Sequence, residues 1–348
     1  MSDTAVSWPE FLLAHGATRT PALPTQPEGA SARVDFAQPA DTSLGFLCAL
    51  THLGVIAASG EDAVHFLHNQ LTNDVEHLDE RQARLAGYCS PKGRLLATLL
   101  MWRAGDRILL ALPRELLGAT LKRLQMFVLR AKVKLTDASD EIVLIGGATP
   151  AAQTTLGGPA WQRADRDGGA WLRVPDAGDL QRWLWAGPVA AAMPFWQQQA
   201  AQLQPASSAL WRWTEIIAGL PQVLEATREQ FVPQMINFEL VGGVNFRKGC
   251  YPGQEIVARS QYLGKLKRRA LLATTDDANA SAGMDVFSEA APGQPCGMVA
   301  NAELGPDGRI ACLVELKMEL ADSVIRLGSA SGPAMQLASL PYELADPA

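Results

Sequence analysis

The run Arg247-Lys248-Gly249-Cys250-Tyr251-Pro252-Gly253-Gln254 sets one thiol beside two cations and just before a helix predicted to begin near Gly253 or Gln254. Neighbouring cations and a helix N-terminus both stabilise a thiolate, lowering a cysteine from its ordinary pKa of about 8.5. Cys250 is therefore the candidate reactive thiol, with Lys248 as its closest cation in sequence. The competing reading is a small buried apolar residue, the commoner use of a free cysteine. Cys48, Cys89, Cys296 and Cys312 have mainly apolar or turn neighbours and take that second reading. No C-x-x-C pair occurs, and five scattered cysteines do not make a disulfide framework, so a reducing cytoplasm fits best.

The same region concentrates charge. Between Gly242 and Arg269 seven cations face one acid, Glu255, so the segment carries +6 while the whole chain carries −6, which leaves −12 elsewhere. Arg259, Lys265, Lys267, Arg268 and Arg269 follow Cys250 closely enough to share a surface. A local positive site in an acidic protein suits a small polyanion better than a long nucleic acid, and no stable nucleic-acid binding is expected. The alternative is a solvated basic edge. His65 and His68 stand three apart on a predicted helix, but they lack further His or Cys partners and read as surface histidines rather than a metal site. One well-placed cysteine is likewise not the set of four that holds an iron–sulfur cluster.

These residues need elements to position them. Ser59-Gly60-Glu61-Asp62 reads as a helix cap, and Val64, Leu67 and Leu71 continue at helical spacing, predicting a helix over 61–72 that Asn73-Asp74 would end. Leu95–Trp102 and Arg107–Leu112 are strand-like runs around an Ala104-Gly105-Asp106 turn. A helix with Leu117, Leu121, Leu124 and Val128 on one face follows, then strands near Lys132–Thr136 and Ile142–Ile145. Residues 148–206 hold five tryptophans and weak periodicity, and read as an inserted or separate subdomain whose aromatics serve a core or a ligand surface. From Ala270 onward, short apolar runs alternate with Gly, Pro, Asp and Ser, predicting a small antiparallel barrel. The fold class is α+β.

Length and composition set the outer limits. A chain of 348 residues exceeds one ordinary core, so several domains are expected. With 48% hydrophobic and 19% charged residues it is neither disordered nor fibrous. Its longest apolar runs fall short of the roughly 20 residues of a membrane helix, and no membrane partner is expected. The start, MSDTAVSWPEFLLAHGA, has neither the basic, apolar order of an export signal nor the Arg-rich character of an organelle presequence. Pro21, Pro24, Pro27 and Pro39 make the segment after it a loose connection.

Lys248-Gly249-Cys250-Tyr251-Pro252-Gly253-Gln254-Glu255 resembles the K-G-C-Y-x-G-Q-E signature of the YgfZ family. Glu215–Pro221 with Phe231-Val232-Pro233-Gln234, Phe66–Val75, and Pro91-Lys92-Gly93-Arg94 resemble further segments of that family, in order, across roughly residues 60–270. The resemblance implies an aminomethyltransferase-like multidomain fold, with interleaved α+β domains and a C-terminal antiparallel β-barrel around a central opening. On this chain it divides as an N-terminal helix and loose connection at 1–41, a folate-binding region with two interleaved subdomains at 42–265, and the barrel at 266–345.

The resemblance also implies a function: tetrahydrofolate binding in support of iron–sulfur cluster assembly or repair, with folate and client or assembly proteins as partners. Tetrahydrofolate or a one-carbon derivative is the implied cofactor. Glu215 falls where the wider superfamily places a pterin-binding carboxylate, which can accept paired hydrogen bonds from a pterin's amino and ring nitrogens. On the residues alone it reads as an exposed helix acid. Arg247, Tyr251, Gln254, Glu255 and Arg259 complete the implied cofactor set, and Cys250 and Lys248 the reactive pair. Glycine-cleavage enzymes carry an aspartate on the strand after the glycine-rich turn, whereas Arg94–Met101 here contains no acid. Glycine cleavage is thus disfavoured, although a folate-dependent aminomethyl or methyl transferase and a folate-binding regulatory module stay open, as does whether a reaction is catalysed.

Overall fold

A computed structural model describes residues 6–20, 33–38, 42–152, 157–262 and 266–344. The chain opens with helix α1 (Trp8–Ala14), capped by Ser7, and a short ribbon of β1 (Thr18–Thr20) and β2 (Arg33–Asp35). Strands β3 (Phe46–Ala49) and β4 (Leu53–Ser59) lead into α2 (Ala63–His68). Next come β5 (Ala83–Cys89), β6 (Leu95–Ala104), β7 (Arg107–Pro113), α3 (Arg114–Met126), β8 (Lys134–Asp137) and β9 (Ile142–Pro150). Then follow β10 (Arg163–Arg166), β11 (Gly169–Ala177), β12 (Leu180–Pro188), α4 (Val189–Ala200), β13 (Gln204–Ala206) and α5 (Ser208–Ile217). A long stretch of turns reaches α6 (Gln254–Tyr262), and the chain ends in β14 (Arg268–Thr275), β15 (Asp285–Ser288), β16 (Gly297–Leu304), β17 (Ile310–Lys317), β18 (Ile325–Leu327) and β19 (Ala334–Ala338).

Three sheets carry the architecture. Strands β5-β6-β7-β4-β8 form one, β10-β11-β12-β9-β3-β13 a second, and β14-β17-β16-β15-β18-β19 close into the antiparallel barrel expected for the C-terminal region. The β6–β7 hairpin turns where Ala104-Gly105-Asp106 predicts, with Ala104 opposite Arg107. The helix expected over 61–72 is shorter, because after His68 the chain is drawn into pairing: Leu71 bridges Tyr88, and the Thr72 N–H donates to Gly87 O at 2.9 Å. Residues 148–206 are not a separate unit either. Their sheet takes in β3 from far upstream, which lies between β9 and β13.

The two open sheets face each other. Phe46 and Cys48 of β3, Val55 of β4, Leu109 of β7, Leu184 of β12 and Trp211 of α5 share one buried cluster between them. Strand β12 alternates sides as the pleat requires, sending Trp183 and Trp185 outward to pack with Trp8, Phe11, Phe195 and Trp196 beneath α1 and α4. Most of the subdomain's tryptophans therefore serve the core, and truncating a buried one such as Trp185 to Ala would cost about 3–5 kcal/mol. Two adjacent glycines admit these rings on opposite faces of β9. A Cβ on Gly146 would lie 2.5 Å from the Trp211 ring, and one on Gly147 would lie 2.0 Å from that of Trp183. Among the described residues no helix is long and apolar enough to cross a membrane.

Candidate functional site

Helix α5 is fixed at its start by a carboxylate from β2. Asp35 Oδ1 accepts from the Ser208 N–H at 2.9 Å, and its Oδ2 accepts from the Ser208 and Ser207 hydroxyls at 2.7 and 3.1 Å. An anion on the free N–H groups of a first turn also suits the helix dipole. Two turns on, Trp211 and Glu215 stand four residues apart and so share a face. That face closes a cavity lined also by Thr98, Leu100, Ala111, Trp161, Val174, Arg182, Leu184, Pro221 and Gln222. Its free volume is about 60 Å³, room for about two water molecules, so a flat ring enters only as lining side chains move aside. The lining residues that keep partial exposure include Leu85, Leu100, Trp161, Glu215 and Gln222, which marks where it opens. A larger, open depression of about 410 Å³ beside residues 338–344 carries a single charge, the exposed Glu343.

Glu215 is not the exposed helix acid its residues alone suggest. Its residual exposure is to the cavity, while the protein around it withholds water, and this desolvation pushes the carboxyl up to about 7 against the opposing pull of Arg182. Its Oε2 accepts from the Gln222 side-chain amide at 3.1 Å. Gln222 is itself held by the barrel, its N–H donating to Asn301 Oδ1 at 3.0 Å and its carbonyl accepting from Asn301 Nδ2 at 2.9 Å. The register shift of β16 between Val299 and Asn301 falls at this residue.

Arg182 is a cavity residue that the sequence did not mark. It is fully buried, lies 4.5 Å from the centroid of the Trp211 ring, and has its pKa pushed down to about 10 by burial. Its position between Leu180 and Leu184, on the inward side of an alternating strand, is the signal that could have found it. Trp161 lines the same cavity at φ 69, a left-handed conformation that costs a side-chain-bearing residue about 1–2 kcal/mol.

The signature residues form a second group. Thr72 Oγ1 donates to Gly243 O at 2.6 Å, Asn73 Nδ2 donates to Leu85 O and Gly242 O at 2.7 Å each, and the Asn245 N–H donates to Thr72 O at 2.9 Å. Asn73 is thus a buried staple between two distant segments rather than the residue that ends the helix. Lys248 caps the end of α2 through the carbonyls of His68 and, at 3.0 Å, Leu71, with its ammonium 4.9 Å from the Tyr251 ring centroid. Burial pushes this lysine down to about 8. His68 is buried beside it, its Nδ1 3.2 Å from Asp74 Oδ1, and burial lowers its pKa. Gly253 and Gly93 interlock: at φ +81, a Cβ on Gly253 would meet Ser90 O at 2.4 Å and Gly93 at 2.7 Å.

Cys250 is exposed, and the other four cysteines are buried. Tyr251 is buried with its phenol raised by desolvation, Gln254 is half-buried, and Arg247, Glu255 and Arg259 are exposed. None of these, nor Lys248, lines the cavity that holds Glu215. The basic surface is smaller than charge counting implies. Arg268 pairs with Glu315 and the buried Arg269 with Glu239, so neither offers its charge to a ligand, and Lys265 lies outside the described residues. Arg247, Arg259 and Lys267 are the exposed cations of the segment among the described residues. Among those residues no three His, Cys, Asp or Glu side chains are grouped to hold a metal ion.

The chain is 31% identical over 310 residues to the tRNA-modifying protein YgfZ of Enterobacter sp. (strain 638), a match covering 86% of this chain and 93% of that one. The chain belongs to the YgfZ family. Its fold is that of the glycine cleavage system aminomethyltransferase T from Bartonella henselae, with a TM-score of 0.74 over 96% of this chain and 97% of the other at 17% identity. No family model matches the chain. The YgfZ signature thus sits on an aminomethyltransferase-like scaffold, tied by Lys248 to the end of α2 on one side and packed on the Ser90–Gly93 turn on the other.

Proposed function

We propose that this YgfZ-family chain binds tetrahydrofolate or a one-carbon derivative through Glu215, and supports assembly or repair of iron–sulfur clusters in client enzymes with Cys250 as its functional thiol. The observation that carries the folate reading is the desolvated Glu215 carboxyl facing a small, largely apolar cavity with an aromatic wall. A carboxylate there offers two acceptors to the amino and ring N–H groups of a pterin, and Gln222 keeps it oriented. Bound folate would supply a carrier for a one-carbon unit.

Lys248 and Tyr251 support the loop that presents Cys250, and Arg247, Gln254, Glu255 and Arg259 are the proposed contacts around it. The exposed Arg247, Arg259 and Lys267 would meet the carboxylates of a folate tail. Aminomethyl transfer is the weaker reading, because β6 brings Thr98 and no acid to the cavity, and Thr98 Oγ1 already accepts from the Val223 N–H at 3.0 Å. The Enterobacter relative, a tRNA-modifying protein, adds a reading in tRNA modification, which joins the first where a client is a cluster-bearing enzyme that modifies tRNA. The cytoplasm, where thiols stay reduced, is the proposed compartment.

Complementation of a deletion strain tests this function. Wild type is expected to restore the activity of cluster-dependent enzymes, while Cys250→Ser and Glu215→Gln each fail at equal protein level. Full rescue by both variants contradicts the proposal.

A further inference from the structure

The cavity holds a guanidinium with two buried donors unused among the described residues. Nε and Nη1 of Arg182 are buried with no hydrogen-bond partner among the described residues. The nearby acid on its own sheet, Asp176, is engaged by Arg173 at 2.6 Å, and no ion pair joins Arg182 to Glu215. Stacking on Trp211 uses the face of the guanidinium and leaves its edge unsatisfied. Leaving buried N–H donors unpaired is costly, the more so in a charged group, so an arrangement of this kind fits a missing acceptor.

The acceptor's chemistry follows from its neighbours. Arg182 and Glu215 are the charged residues of the lining and oppose each other in sign, so an anion would suffer from Glu215 and a cation from Arg182. A neutral ring that presents a carbonyl beside an N–H and an amino group satisfies both. We propose that Arg182 is the specificity-determining residue of this cavity, donating to the ring carbonyl of a 2-amino-4-oxo ligand while Glu215 accepts from the adjacent N–H groups. This rests on the folate reading for the ligand's identity, because guanine offers the same edge. A 2,4-diamino ring puts a donor where the carbonyl stood, setting N–H against N–H at Arg182, and turns the adjacent ring N–H into an acceptor that faces Glu215.

Calorimetry with a tailless tetrahydropterin and its 2,4-diamino counterpart tests the inference on the wild-type protein without any substitution. The oxo ring is expected to bind tighter by on the order of 100-fold. Arg182→Met and Arg182→Gln, checked for folding by circular dichroism, should cut that preference by about tenfold and leave the share set by Glu215, whereas a variant that only loosens the fold would weaken both ligands alike. Equal binding of the two rings to wild type, or an undiminished preference in a folded Arg182 variant, overturns the inference. Guanine and 2,6-diaminopurine form a second pair. If guanine binds with the same Arg182-dependent preference and tetrahydropterin does not bind, the folate reading fails while the role of Arg182 stands.

Discussion

Arg182 and Glu215 reach one cavity from a strand and a helix, opposite in charge and joined by no ion pair. Their positions are set from outside the cavity. Arg182 is held against Trp211, for which Gly146 makes room, and Glu215 is oriented by Gln222, which Asn301 of the barrel holds.

Two pH dependences of opposite sign follow from Glu215. Its carboxyl is pushed up to about 7 from an ordinary 4.5, so through that window the folded chain keeps a proton the unfolded chain has released. Stability from this group is fully present below the unfolded pKa and lost as pH rises toward 7. Ligand binding to the carboxylate runs the other way, weakening as pH falls below about 7 by up to about tenfold per unit. Denaturation at about pH 5 and about pH 8 should show a loss of stability in wild type larger than in Glu215→Gln. Equal losses in the two proteins would refute the buried acid.

Iodoacetamide near neutral pH should label Cys250 alone. The remaining thiols are buried, with Cys89 and Cys312 pushed up to about 12 and Cys48 and Cys296 also raised by desolvation. Mass spectrometry of the native protein should find one adduct, and five after denaturation. A second native adduct at any buried cysteine would show that the core opens more readily than its packing indicates.

Gly253→Ala should destabilise the chain more than Gly105→Ala. Both glycines are left-handed, at φ +81 and φ +63, so the backbone penalty of about 1–2 kcal/mol is common to them. Only Gly253 would also drive its Cβ into Ser90 O and Gly93, whereas Gly105 meets nothing within 4 Å. Chemical denaturation of the pair isolates the steric part, and equal midpoints would mean that the signature loop does not press on the Ser90–Gly93 turn.

Removing Arg269 should cost about 3–5 kcal/mol, because Glu239 would be left charged in a buried site. Burial already raises the Glu239 carboxyl even with Arg269 beside it. Arg269→Met combined with Glu239→Gln should recover most of the loss by equilibrium unfolding. A single substitution that costs less than about 1 kcal/mol would return Arg269 to the solvated edge that charge counting suggested.

Local pattern and motif order reached the β6–β7 hairpin, the barrel strands and the start of α6, because each depends on neighbours in sequence. The sheet around residues 163–206 escaped because β3, a strand that no local period connects to it, is inserted between β9 and β13. The inward pairing of Arg268 and Arg269 escaped for a related reason. Charge counting sees the cations but not Glu315 and Glu239, which other elements bring beneath them. Glu215 was legible through family resemblance alone, since nothing in its own helix distinguishes a cavity acid from a surface one, and Arg182 required knowing which side of β12 faces the gap between the sheets.

The most direct measurement is titration of tetrahydrofolate into wild type and Glu215→Gln by isothermal calorimetry at about pH 8, where the carboxyl is ionised. Losing a charged acceptor for buried N–H donors removes about 1.5–3 kcal/mol, so affinity should drop on the order of 10- to 100-fold in a variant that remains folded. Wild type that binds no folate, or a folded Glu215→Gln that binds it as tightly as wild type, would contradict the assignment of this cavity to the pterin ring.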